Sequence, residues 1–119
     1  ALSHFNKNRI VILACGLGSP YFSTDTAAVQ RGKELNVDIV LLAKNIDGVY
    51  NADPKVDPNA IKYARITYMD ILANRLEAMD STATSFSMDN DMPIFFFGLD
   101  DPQNSIRAIS GEKIGTMVK

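Results

Sequence analysis

Two short runs of consecutive apolar residues constrain the fold of this chain more than any other feature. They span residues 9–14 (RIVILA) and 38–43 (DIVLLA), and both are rich in β-branched side chains. A strand with one face in water alternates apolar and polar residues, whereas a strand of a parallel sheet is buried on both faces and reads as a continuous apolar run. We therefore predict that both runs are buried, parallel strands.

The segment between the two runs has the pattern of a helix. Thr24 or Asp25 can cap its N-terminus, small and apolar residues recur at helical spacing as far as Leu35, and Asn36 ends it. A strand, a helix and a second strand in this order form a βαβ unit, the usual connection between parallel strands. The pattern predicts an α/β fold.

The rest of the chain continues the alternation. We predict a helix over 68–76, where Thr67 and Asp70 resemble a capping box. Two further helices are predicted, one from Asp80 or Ser81 to Asn90 and one over 104–109. Strands are predicted at 93–97 and 115–118. Residues 44–66 are rich in turn signals and predict a long loop with a small hairpin. The predicted fold class is α/β, with a mainly parallel open sheet flanked by helices.

The composition of the chain narrows the range of its possible partners. The 119 residues fit one domain, the formal net charge is -2, and the single cysteine, Cys15, has no internal disulfide partner. Residues 76–106 hold six acidic side chains and no Lys or Arg, which disfavours a nucleic-acid partner. The apolar runs are too short for a membrane helix, and His4 has no second ligand at metal-binding spacing. We expect a cytoplasmic protein with neither nucleic acid nor membrane as a partner.

The loop after the first predicted strand is a candidate binding site, because ligands of open parallel sheets lie beyond the carboxyl ends of the strands. Gly16 and Gly18 let the backbone approach a ligand, and Ser23, Thr24 and Asp25 start the helix that follows. The loop could cradle a phosphate or a nucleoside, although it matches neither the Walker loop nor the dinucleotide fingerprint. A tight turn followed by a helix cap explains the same residues.

The loop after the second predicted strand is the other candidate. Tyr50 offers a ring for stacking, Asp53 an acceptor for ribose hydroxyls, and Asn45 an amide, a set that suits a purine nucleoside. The alternative is structural, with Tyr50 as a packed anchor and Asp53 as a turn residue before Pro54.

The sequence resembles the bacterial uridylate (UMP) kinases of the amino-acid-kinase family, with the same motifs in the same order. The resemblance rests on residues 16–28 (GLGSPYFSTDTAA) and 44–54 (KNIDGVYNADP), and continues through 62–63 (KY), 66–68 (ITY), 79–83 (MDSTA), 88–93 (MDNDMP) and 111–116 (GEKIGT). It covers nearly the whole chain in order. Such agreement is more specific than any one motif, and the fold of that family, an open sheet of mainly parallel strands between helices, agrees with the predicted one.

The resemblance implies phosphoryl transfer from Mg²⁺-ATP to UMP, giving UDP and ADP. It implies that Asn45, Tyr50 and Asp53 bind ATP, that Asp25 is a catalytic residue beside the reacting phosphates, where it can orient a lysine or a water, and that Asp80 caps a helix. The implied UMP-binding residues are Leu17, Gly18, Ser19, Pro20, Tyr21, Phe22, Ser23 and Thr24. Leu17 and Ser19 stand where threonine and asparagine are common in the family.

The resemblance also implies how much of such a kinase these residues represent. Residues 1–119 match the C-terminal, nucleotide-binding half, and the family's Gly-rich phosphate loop with its lysine has no counterpart among them. We therefore expect the 119 residues to be inactive alone and their parent enzyme to be a homo-oligomer, a hexamer responsive to GTP and UTP. The open alternatives are a non-catalytic nucleotide-binding or regulatory module, and another kinase of the same fold.

Overall fold

The computed structural model describes all residues from Ala1 to Lys119. The chain contains five helices and four strands. The helices are α1 (Leu2–Phe5), α2 (Thr24–Glu34), α3 (Tyr68–Ala73), α4 (Ser81–Asp89) and α5 (Gln103–Ile109). The strands are β1 (Val40–Lys44), β2 (Arg65–Ile66), β3 (Ile94–Gly98) and β4 (Thr116–Val118). No helix has the length and apolar character needed to cross a membrane.

The four strands form one open sheet in the order β1-β3-β4-β2. β1 pairs with β3 in parallel, so that Lys44 lies opposite Gly98, and β2 pairs with β4 in parallel. The pairing of β3 with β4 is antiparallel. The predicted α/β class with a mainly parallel sheet and flanking helices is confirmed, with β4 and β2 together running opposite to β1 and β3.

The strand β3 divides the core, because its successive side chains point to opposite faces of the sheet. Ile94 and Phe96 belong to the larger cluster, with Val29 of α2 and Ala83 of α4. Phe95 and Phe97 point to the other face, where Ala108 of α5 packs against them. All five residues of β3 are buried, as its continuous apolar run predicts.

Side-chain caps fix the starts of three helices. In α2, the Ser23 hydroxyl accepts from the backbone N–H of Thr26. In α3, the Thr67 hydroxyl accepts from the N–H of Asp70. In α4, the Asp80 carboxylate accepts from the N–H of Ala83. The caps of α3 and α4 are as predicted. In α2 the cap is Ser23, not the predicted Thr24 or Asp25, because Ser23 has the extended backbone of a cap whereas Thr24 and Asp25 are already helical.

The first predicted strand is wrong. Residues 9–14 form no strand, and Ile10 and Ile12 are 98% and 90% exposed. β1 lies at the edge of the sheet and pairs only with β3, so its other edge stays open and residues 9–14 form no ladder of hydrogen bonds with it. A βαβ unit is therefore incomplete here: its helix and its second strand form, but its first strand does not.

The loop over residues 45–64 is held together by Thr116. This buried side chain accepts a hydrogen bond from the backbone N–H of Val49 at 2.9 Å and donates one to the carbonyl of Tyr63. An isolated antiparallel bridge joins Tyr50 to Lys62, which is the small hairpin that the sequence predicts. The loop is thereby fixed against the sheet.

Candidate functional site

An ion pair lies at the carboxyl end of β1. Lys44 ends the strand, and its Nζ lies 2.7 Å and 2.6 Å from the two carboxylate oxygens of Asp25, in the first turn of α2. The side chain of Asp25 is only 14% exposed and that of Lys44 is 30% exposed. Partial burial limits screening by water, so this contact orients both groups more firmly than a surface ion pair would.

A second polar contact joins the N-termini of α2 and α4. The Thr26 hydroxyl donates to the Asp80 carboxylate, at 3.3 Å from each oxygen, and the same carboxylate accepts from the N–H of Ala83 at 2.8 Å. The structure confirms Asp80 as a helix cap. Since Asp25 and Thr26 are adjacent, the helix start that carries the ion pair is held against α4.

A third cluster is centred on Asp47. Its Oδ1 accepts from the Tyr50 phenol at 2.7 Å, and its Oδ2 accepts from Lys62 Nζ at 2.9 Å. Burial alone would raise the pKa of Asp47, but the hydrogen bonds from Lys62 and Tyr50, together with the charge of Lys62, outweigh it and lower that pKa. The hydrogen bond to Asp47, followed by burial, raises the pKa of the Tyr50 phenol. The hydrogen bond to Asp47 holds the ring in place.

The residues predicted to bind ATP line two adjoining clefts. Tyr50 and Asp53 line one of about 280 Å³, and Asn45 lines another of about 240 Å³. The two clefts share Ile46, Gly48 and Glu77 as walls. The structure thus brings Asn45 and Tyr50 to the same groove after β1. Asp53 also accepts from the N–H of Lys55 at 2.9 Å, which is the turn geometry of the structural alternative.

The residues predicted to bind UMP form an open depression of about 420 Å³ before α2, together with Cys15 and Gly16. All of the predicted residues line it except Tyr21, whose side chain is fully exposed. Gly16 and Gly18 have positive φ angles of 57° and 77°, which glycine adopts without strain. Tyr21 also has a positive φ of 67°, an uncommon conformation for a residue with a side chain.

The acidic side chains of the site do not form a resident metal centre. No group of three or more His, Cys, Asp or Glu residues converges as metal ligands. The carboxylate that faces the two loops, that of Asp25, is paired with Lys44. The site is therefore built from separate ion pairs and capped helix starts.

Three functional-site contacts were not predicted from the sequence. They are the partnership of Lys44 with Asp25, the role of Asp47 as the shared acceptor of Tyr50 and Lys62, and the fixing of the loop by Thr116. Each joins residues that are distant in the sequence or lie in irregular backbone. The position of Lys44 at a strand end beside a candidate site was the one available indication.

Comparison with known proteins agrees with this arrangement. The model of the amino acid kinase family matches residues 2–98. The chain belongs to this family. The family assignment covers α2, β1, α4 and β3, and thus the Lys44–Asp25 pair and both candidate loops.

Solved structures of UMP kinases have the same fold. The UMP kinase of Bacillus anthracis is 34% identical, with a TM-score of 0.93 over 99% of this chain and 49% of its own. The UMP kinase of Ureaplasma parvum is 35% identical, with a TM-score of 0.92 over 98% of this chain and 50% of its own. The uridylate kinase of Archaeoglobus fulgidus is 30% identical, with a TM-score of 0.72 over 85% of this chain and 49% of its own. The chain spans about half the length of each.

Proposed function

We propose that the protein transfers a phosphoryl group from ATP to UMP, giving UDP and ADP in pyrimidine nucleotide biosynthesis. The observation that carries the proposal is the match of nearly the whole chain to UMP kinase structures, with a TM-score of 0.93 for that of Bacillus anthracis. The positions of both candidate loops on either side of the Lys44–Asp25 pair support it, because phosphoryl transfer needs donor and acceptor to meet at charged groups.

The groove after β1 is the proposed ATP site. Tyr50 would stack on the adenine, with its ring fixed by the hydrogen bond to Asp47. Asp53 has a second carboxylate oxygen beyond the one that accepts from Lys55, and this oxygen could accept from a ribose hydroxyl. Asn45, which lines the adjoining cleft, would contribute its side-chain amide.

The depression before α2 is the proposed UMP site. Residues 17–24 would hold the nucleotide through backbone N–H groups and through the hydroxyls of Ser19, Ser23 and Thr24. The positive end of α2, an 11-residue helix, lies at the end of this loop and favours a bound phosphate there. The Ser23 cap fixes where that helix begins.

Asp25 is the proposed catalytic-site carboxylate, and Mg²⁺ would arrive with ATP as its phosphate complex. The Mg²⁺ ion would offset the charge of the phosphates. In the structure Asp25 holds a lysine in place. This is one of the two roles that the family resemblance implies for it.

The proposal extends to the assembled protein. The UMP kinase relatives support nucleotides as its partners, and we propose a homo-oligomer, a hexamer, with GTP and UTP as effectors and the cytoplasm as its location. Analytical ultracentrifugation of the full-length protein, with and without GTP or UTP, tests the assembly.

The test of function is a coupled ADP-release assay on the full-length protein in which these residues occur, with Mg²⁺-ATP as donor. We expect turnover of UMP and little or none of CMP. Equal turnover of the two would contradict the assignment of UMP. Nucleotide binding without turnover of UMP, CMP or acylated amino acids would favour a non-catalytic binding module.

A further inference from the structure

The cleft of about 280 Å³ that holds Tyr50 and Asp53 is lined by two segments that are distant in the sequence. One is the loop after β1, which contributes Ile46, Gly48 and residues 50–54. The other is the turn between α3 and α4, which contributes residues 74–77. Tyr50 and Asp53 both belong to the first segment. A ligand that fills the cleft also contacts the second.

Arg75, in the second segment, has a backbone conformation that is unusual for its residue type. It follows the C-cap of α3, Asn74, and has a φ of 50°. Its N–H donates to the carbonyl of Leu72, and the N–H of Leu76 donates to the carbonyl of Ile71, which together form the Schellman motif that ends many helices. Glycine is the usual residue at this position, because it has no Cβ. The motif fixes the direction in which the Arg75 side chain leaves the backbone.

Arg75 is the one Lys or Arg among the residues that line this cleft. The residue is exposed, and none of the ion pairs in the structure includes it. Asp53 and Glu77 line the same cleft, so the carboxylates outnumber the cation there. An excess of negative charge disfavours the phosphates of a nucleotide and leaves the cleft suited to its uncharged base.

A guanidinium group matches a purine base in shape and in charge. The group is planar, always carries its positive charge and stacks on aromatic faces. A cation over the face of an aromatic ring is attracted by the negative charge of that face. Tyr50 offers a ring to one face of a bound base, and Arg75 projects from the other segment of the cleft.

We propose that the guanidinium of Arg75 stacks on the face of the adenine base that Tyr50 leaves free, and so contributes to the binding of ATP. The inference rests on the proposed function. Arg75 acts on the nucleoside part of ATP and makes no contact with the phosphates. Its removal therefore weakens the binding of adenosine and of ATP by the same factor.

The experiment compares Arg75→Ala, Arg75→Lys and Arg75→Gly in the full-length protein, by calorimetric binding of adenosine and of ATP and by steady-state kinetics. We expect Arg75→Ala to weaken the binding of both ligands about fivefold and to raise the KM for ATP by a similar factor. The KM for UMP and kcat should stay unchanged. Arg75→Lys should lose less affinity, because an ammonium group keeps the charge but not the plane. Arg107→Ala is the matched control, since Arg107 pairs with Asp101 and does not line the cleft.

Arg75→Gly separates binding from folding. Glycine adopts the positive φ of this position without strain, so the midpoint of thermal unfolding of Arg75→Gly should be no lower than that of Arg75→Ala. Its affinity for adenosine should fall as far as that of Arg75→Ala, since both variants lack the guanidinium. Wild-type affinity of Arg75→Gly for adenosine would overturn the inference.

Failure of this inference differs from failure of the proposed function. A loss of affinity confined to ATP overturns the inference, because the guanidinium then contacts the phosphates. Turnover of UMP by the wild type, together with an unchanged KM for ATP in Arg75→Ala, overturns the role of Arg75 and leaves the function standing. If the wild type binds adenosine but turns over no UMP, the function is overturned, and the affinity of Arg75→Ala for adenosine decides about Arg75.

Discussion

The Tyr50 phenol donates a hydrogen bond to Oδ1 of Asp47 at 2.7 Å, within the loop that follows β1. The other oxygen of Asp47 accepts from Lys62, whose Nζ lies 3.4 Å from the carbonyl oxygen of Ile114. The Asp47 carboxylate thus links the proposed adenine-stacking ring of Tyr50 to Lys62, and Lys62 in turn contacts Ile114, just before β4. The orientation of the ring depends on groups that do not face the cleft.

Because the pKa of Asp47 is lowered in the folded protein, its contribution to stability should depend on pH. A carboxyl group with a depressed pKa stabilises the fold above its ordinary value, about 3.9, and loses that contribution as the pH falls through the folded value. We expect Asp47→Asn to lower the free energy of unfolding at pH 7 and to differ less from wild type between about pH 4 and pH 2. Urea unfolding at several pH values measures this. Asp38→Asn removes the same charge at an exposed position and is the matched control.

The donor site can be tested apart from the acceptor site. Tyr50→Ala together with Asp53→Asn removes a stacking face and a ribose acceptor, at a cost of about 1–3 kcal/mol in ATP binding. Steady-state kinetics should therefore show a higher KM for ATP and a nearly unchanged KM for UMP. A rise in the KM for UMP alone would mean that the two loops have been assigned to the wrong nucleotides.

Thr116 offers a test of how the loop is fixed. Thr116→Val keeps the shape but leaves the N–H of Val49 and the carbonyl of Tyr63 without their partner, which costs about 1–3 kcal/mol per group. We expect a clear fall in thermal stability, and a much smaller one for Thr116→Ser, which keeps the hydroxyl. Equal stability of the valine and serine variants would show that the hydroxyl does not hold the loop.

The apolar segment at residues 9–14 should make the 119-residue chain self-associate. Exposed, β-branched side chains and the open sheet edge at β1 both favour contact between copies. Size-exclusion chromatography with light scattering should detect oligomers that shift toward monomer in the Ile10→Lys/Ile12→Lys variant. Val56→Lys, in an equally exposed part of the long loop, should leave the distribution unchanged. A wild-type monomer at all concentrations would contradict this expectation.

The elements that the sequence predicted well are those whose pattern is local. Helix α4 follows from its Asp80 cap, and β3 from an uninterrupted apolar run that is buried on both faces. Residues 9–14 show the same kind of run, yet they form no strand, because a strand needs a neighbour that its own residues cannot specify. Periodicity reports whether a segment can be buried, and pairing depends on the rest of the sheet.

In the candidate site, too, the local features were predicted and the contacts between distant residues were not. The loops beginning at Gly16 and at Lys44 were predicted from glycine, hydroxyl and aromatic residues at strand ends, and the structure places both near one ion pair. The pairing of Lys44 with Asp25 could not be predicted from the residues alone, because it depends on how α2 packs against β1. The role of Thr116 could not be predicted either, since its two hydrogen-bond partners, Val49 and Tyr63, lie far away in the sequence.

The position of β4 has a consequence for how the polypeptide folds during synthesis. β4 is the last element of the chain, but it lies between β3 and β2 in the sheet. β1 and β3 can pair as soon as both have left the ribosome. β2 cannot pair with a strand of the sheet until residues 116–118, which form β4, have been synthesised. Both parallel pairings join segments that are distant in the sequence, and such pairing is slow. A nascent chain that stalls before residue 116 would therefore carry an unmatched strand, a target for chaperones and proteases until translation resumes.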